Sequence, residues 1–117
     1  QMLYENDLKE RINNNLRLIR NIYQRILEKC AEIIPGMKND CMNQNNIILG
    51  QKTIDWLSRK NITNSIIRSF FFSVNAIPSN FSNHPNIENA TTDTVNSLIY
   101  ALKDIIVWFG QICKKHK

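Results

Sequence analysis

The chain has 117 residues, 43% of them hydrophobic, enough for one domain with a packed interior. Only three glycines and three prolines leave too few tight-turn residues for an all-β fold and favour long helices. Fifteen Lys and Arg against ten Asp and Glu give a net charge of +5, which permits contact with nucleic acid or an acidic partner without demanding it, and no apolar run approaches the roughly 18 residues a membrane span needs.

The first predicted helix covers 7–34. Leu8, Ile12, Leu16, Ile19, Tyr23, Ile26, Cys30 and Ile33 recur in steps of three and four, the signature of one helical face. Asp7 and Glu10 have the spacing of a capping box, and Pro35-Gly36 supplies a stop. Arg17, Arg20, Arg25 and Lys29 fall off the apolar stripe, as a solvated face or as phosphate contacts. Residues 35–48 read as a loop, because Asn39, Asp40, Asn43, Asn45 and Asn46 compete with the backbone for hydrogen bonds.

A short helix is expected over 50–60, presenting Ile54, Trp56 and Leu57, with Asn61 breaking it and capping the next. Over 62–76 the residues are β-branched and aromatic, but the 62, 66, 70, 74 spacing favours a helix, ended by Pro78. Phe70 and Phe71 belong to its buried stripe, whereas Phe72 falls off it and faces a neighbouring subunit or domain. Trp56, Trp108 and the three phenylalanines are either core or stacking surfaces for bases. Residues 78–90, PSNFSNHPNIENA, form a polar loop. A last helix, capped by Thr92 or Asp93, runs to about 115 with Val95, Leu98, Ile99, Leu102, Ile105, Ile106, Phe109 and Ile112 as its stripe, and Lys114 and Lys115 favour its dipole. Two long and two shorter amphipathic helices are most simply closed as an all-α antiparallel four-helix bundle, one domain over residues 1–117. Because the first residue is Gln, that domain is expected to be a piece of a longer protein.

Three cysteines, Cys30, Cys41 and Cys113, are an odd number without metal-ligand spacing, which argues for a reducing, cytoplasmic setting and no metal or cofactor. The triplets Asn61-Ile-Thr63, Asn80-Phe-Ser82 and Asn89-Ala-Thr91 would accept glycans only in a secreted protein, where Cys30 and Cys113 could pair and the chain would be a four-helix signalling molecule. No glycine-rich phosphate loop, HExxH or GxSxG is present. His84 is the single histidine outside the terminal tail, with Asn80 four residues before it and Arg68 on the preceding helix. These three are the candidates for acid–base chemistry on RNA or for binding, and Asn80 and His84 read first as a structural pair that satisfies the loop's own backbone groups and docks it on the bundle.

The order LRLIRNIYQRIL, LGQKTIDWLSRKNI, an apolar helix, SNFSNH and a long helix ending IIVWF resembles the small helical domains called HEPN, over about residues 8–112. In particular it is similar to a non-catalytic branch of prokaryotic restriction and defence proteins, in which a Gly-Asn or Arg-Asn pair and then a His precede a last helix that often ends in Trp and an aromatic residue. The matching residues here are Asn80, His84, Trp108 and Phe109. Ribonuclease members place an Arg before the His with four to six residues between the two. Here those positions are Ser79, Pro78 and Ile77, and a neutral serine does not replace a guanidinium fork. The resemblance therefore implies a binding or assembly module of a larger defence protein, pairing as a homodimer or with a sister domain, or binding RNA or DNA; Asn80 and His84, with Arg17, Arg20 and Arg25 from the charged side of the first helix, are the binding candidates. The enzyme alternative is a metal-independent ribonuclease completed across a dimer by Arg68 and His84.

Overall fold

The computed structural model describes residues 2–78 and 90–116, with side chains from Asn6 onward. All the regular structure there is helical: α1 Met2–Ile33, α2 Met37–Cys41, α3 Gly50–Arg59, α4 Ser65–Asn75 and α5 Thr92–Lys115. The expected all-α class is observed. The expected set of four alternating helices is not, because a further short helix lies where the sequence reads as loop.

That short helix changes the topology. Gly36 turns the chain at φ +83°, a left-handed conformation that suits glycine, and α2 then folds back along α1. The backbone of Leu49 donates to the carbonyl of Cys41, and Met42 pairs with Ile48 as an isolated antiparallel bridge. Asn43 holds the tip: its side-chain oxygen accepts from the backbone of Asn45 and Ile47, while Asn46 takes φ +61°. The asparagine-rich stretch thus forms a compact return leg whose Met37, Cys41 and Ile48 are buried.

The return leg makes the two long helices parallel. Near the start of both, Leu8, Lys9 and Ile12 of α1 share a surface depression with Thr91, Thr92 and Asp93. Toward their ends, Cys30 and Cys113 lie close enough to interact electrostatically. Helix α4 runs the other way: its last residue, Asn75, meets Arg20 midway along α1, and Ile62, just before its start, meets Trp108 near the end of α5. Helix α3 is antiparallel to α4, with Gly50 against Asn75 and Asp55 against Arg68.

One apolar cluster joins these elements. Tyr23, Phe71 and Trp108 form its aromatic centre, with ring centroids 5.7 Å apart for Tyr23–Phe71 and 5.1 Å for the edge-on Phe71–Trp108 pair. The α1 stripe is buried from Ile12 to Cys30, whereas Leu8 is exposed and Ile33 half-buried. On α4 the rotation differs from the expected one. Phe71 and Val74 are buried, Phe70 is half-buried and Ile66 is 64% exposed. On α5, Trp108 is core and Ile106 is largely exposed, because the buried line runs through Val95, Ala101, Leu102, Ile105, Trp108 and Ile112.

The helix ends also correct the sequence reading. Helix α1 begins before Asp7, so Asp7 is no cap and instead pairs with Arg11 one turn on, at 3.0 Å. Asn61 closes α3 rather than capping α4. At φ +58° it donates to the carbonyl of Ser58, and Ile62 donates to that of Leu57, a Schellman arrangement. Asn64 caps α4 by accepting from the backbone of Ile67 at 2.8 Å. Thr91 caps α5 in a reciprocal box with Thr94, one residue before the expected cap. Helix α4 ends at Asn75, three residues before Pro78. Cys30, Cys41 and Cys113 are all free thiols, so the expected Cys30–Cys113 disulfide of the secreted reading is not formed. None of the described helices is long and apolar enough to cross a membrane.

Candidate nucleic-acid interface

Helix α3 has a sharp division of faces. Thr53, Ile54, Trp56 and Leu57 are buried, and Lys52, Asp55 and Arg59 stand three and four residues apart on the other side. Helix α4 packs alongside and sends Arg68 across to this face. Its Nη2 donates to Asp55 Oδ1 at 3.0 Å, and its guanidinium carbon lies 4.9 Å from the centroid of the Phe72 ring. Asp55 also accepts from Gln51 Nε2 at 3.3 Å, so its carboxylate is held from two sides. The Arg68 Nε is buried without a partner among the described residues.

These side chains line two adjoining clefts. Lys52, Asp55, Ser58, Arg59 and Arg68 form one, of about 510 Å³. Asn39, Asp40, Lys52, Trp56, Arg59 and Lys60 form the other, of about 520 Å³. Trp56 fixes the wall between α2 and α3. Its indole N–H donates to Asp40 Oδ2 at 2.8 Å, and Lys60 Nζ sits 5.8 Å from its ring centroid. Four cations, Lys52, Arg59, Lys60 and Arg68, face this surface against the two carboxylates of Asp40 and Asp55. An excess of positive charge on a concave surface attracts anions, and two guanidinium groups supply planar donors suited to phosphate oxygens.

Of the residues predicted from sequence, Arg68 joins this surface and the α1 arginines do not. Arg17 and Arg25 lie on the exposed side of α1. Arg20 is half-buried and serves the fold: its Nη1 donates to both the backbone carbonyl and the side-chain oxygen of Asn75, each at 3.2 Å. Burial lowers its affinity for its proton, and the Tyr23 hydroxyl beside it works in the opposite direction. Asn80 and His84 lie outside the described residues, and so does any convergence of His84 with Arg68. Phe72 faces Arg68, while Trp56 and Trp108 are buried and committed to hydrogen bonds within the chain. Lys52, Arg59 and Lys60 were missed by the sequence reading, although the 52, 55, 59 spacing opposite Ile54 and Leu57 is the signal that finds two of them.

A further depression, about 680 Å³ between α1, α4 and α5, is lined by Leu16, Phe70, Ile77, Leu98 and Ala101 together with serine and threonine. It carries no ionisable side chain and lies beside residues 78 and 90, where the description stops. No cluster of three or more metal-ligating side chains occurs among the described residues. Compared with protein-family models, with curated proteins and with solved structures, the chain matches none.

Proposed function

We propose that this chain is a non-catalytic helical binding module that grips the phosphate backbone of a nucleic acid through the α3–α4 surface, as part of a larger prokaryotic defence or restriction-type protein. The observation that carries the binding role is the meeting of Lys52, Arg59, Lys60 and Arg68 from two helices on one concave face. The defence setting rests on the HEPN resemblance, and the absence of an arginine at residues 77–79 supports a role without catalysis. The engagement of Arg68 with Asp55 and Phe72 favours a fixed electrostatic contact over a mobile catalytic cation.

Fluorescence anisotropy with a labelled single-stranded RNA and a duplex DNA, each of roughly 20 nucleotides, tests this over a salt series. Binding should weaken steeply with salt, and K52A/R59A/R68A should lower affinity at least tenfold and reduce the salt slope by about two to three. R11A, on an exposed and distant part of α1, serves as the control. Failure of the wild-type chain to bind either probe at about 50 mM salt sinks the reading, as does unchanged binding by the triple variant. Cleavage of the RNA without metal, lost in H84A, would overturn the non-catalytic assignment.

A further inference from the structure

The cations of the α3–α4 cleft are unevenly matched with carboxylates. Lys52 precedes Asp55 by three residues and Arg59 follows it by four, the spacings at which a helix ordinarily pairs opposite charges. Neither pair forms. Among the described residues the ion pairs are Asp7–Arg11, Lys29–Glu32 and Asp55–Arg68, so the one carboxylate of the cleft is taken by a cation from the neighbouring helix. Gln51 Nε2 holds the same Asp55 oxygen at 3.3 Å from one turn back along α3. Lys52 and Arg59, both exposed, are thereby left without a carboxylate partner among the described residues.

Charge and donor count narrow the anion that suits this arrangement. The cleft sets three cations, Lys52, Arg59 and Arg68, against one carboxylate, an excess of two positive charges, and Ser58 adds a hydroxyl donor. A phosphodiester inside a strand carries a single negative charge. A phosphomonoester at its end carries about two near neutral pH and offers three acceptor oxygens. Lys52 and Arg59 stand two turns apart on one face of α3, about 10 Å along its axis, and their long side chains reach a group held between them. Asp55 lies between the two in sequence, but Arg68 draws it toward α4 and neutralises it there.

We infer that the α3–α4 cleft takes the terminal phosphomonoester of a nucleic-acid strand, with Lys52 and Arg59 as its counter-ions and Arg68 holding Asp55 away from them. The second cleft shares Lys52 and Arg59 and adds Asn39 and Lys60, and the strand leaves over it. This rests on the phosphate-binding reading of the surface and adds that the site prefers an end to an interior. Arg68 is a positioning residue in this arrangement. Without it, Asp55 is released to neutralise Arg59, its partner four residues on.

Fluorescence anisotropy with internally labelled single strands of RNA and of DNA, roughly 12 nucleotides long, reads the preference as a ratio of dissociation constants. Each strand is used with hydroxyl ends, with a 5′-phosphate, with a 3′-phosphate, and with the terminal phosphate methylated so that it loses one charge. A phosphate at one end or the other should tighten binding at least tenfold, and methylation should remove most of that gain. K52A/R59A should abolish the ratio while circular dichroism shows unchanged helix content, because both side chains are exposed. K60A, which lines only the second cleft, should weaken all strands alike and leave the ratio. R68A should lower the ratio and R68A/D55A should restore it, a recovery that a merely structural role for Arg68 would not give. Equal binding of all the strands overturns the inference and leaves the backbone-binding reading standing, whereas binding of none removes both. A preference that survives K52A/R59A, or that D55A fails to restore in R68A, also overturns it.

Discussion

Trp108 of α5 is fastened to the segment that enters α4: its indole Nε1 donates to the backbone carbonyl of Ile62 at 3.1 Å. The same ring stands edge-on to Phe71, which in turn touches Tyr23. Phe71, between Tyr23 of α1 and Trp108 of α5, thus links three helices, and Trp108 adds a polar contact at its own rim. W108F should keep much of the ring packing but leave the Ile62 carbonyl without this donor, costing about 1–3 kcal/mol. W108A should cost about 3–5 kcal/mol. Urea unfolding checks both, the midpoint falling with an unchanged slope.

A second prediction concerns the crossing of α3 and α4. A methyl group at Gly50 would overlap the side-chain amide of Asn75, whose oxygen already accepts from Arg20. G50A should therefore destabilise by about 1–3 kcal/mol, despite the better intrinsic helix propensity of alanine. N75A alone should cost about 1 kcal/mol through loss of the Arg20 contact. In G50A/N75A the clash is gone, so the double variant should be more stable than the sum of the singles implies, which a double-mutant cycle measures.

Asn61 offers a stabilising change. It holds φ +58° at the end of α3, where glycine carries no penalty. N61G should raise stability by about 0.5–1 kcal/mol, and N61V should lower it by more, read as shifts in melting temperature.

The buried thiol makes stability depend on alkaline pH. Burial pushes Cys30 up to about 12 from an ordinary value near 9, with Cys113 adding in the same direction. The folded state thus retains a proton that the unfolded chain loses first, and this contribution is complete below about pH 9 and disappears as pH rises toward 12. Burial also raises the Tyr23 phenol, extending the loss at higher pH. Stability measured by urea should fall between pH 9 and 11, and less steeply in C30A than in the wild type once each is normalised to pH 8. At neutral pH a thiol reagent should modify half-buried Cys113 first, and Cys30 and Cys41 only on the timescale of unfolding.

Much of the fold was legible in the sequence because α1 and α5 repeat apolar residues for many turns. Ile12, Leu16, Ile19, Tyr23, Ile26 and Cys30 are all buried as their spacing predicts. The short elements resisted. Met37–Cys41 is five residues long, too brief for periodicity to register among asparagines that also favour turns, and without it the long helices would be expected to run in opposite directions. On α4 the run Ile66, Ile67, Phe70, Phe71, Phe72 and Val74 offers apolar residues on every side, so composition alone does not fix which of them face α1 and α5. The basic surface was half-visible: Arg68 stood out because it was sought as a partner for His84, whereas Lys52, Arg59 and Lys60 became a site only when α2 and α4 were folded against α3.

The parallel course of α1 and α5 sets where attachments at either side of the unit would emerge. Position 6 and position 114 lie toward opposite tips of a body whose longest dimension is 52 Å. Dyes placed there should report a separation of about 40 Å from the rise of the two helices, and anything fused beyond them would be kept apart as by a strut, where a hairpin of antiparallel long helices would have brought both to one side.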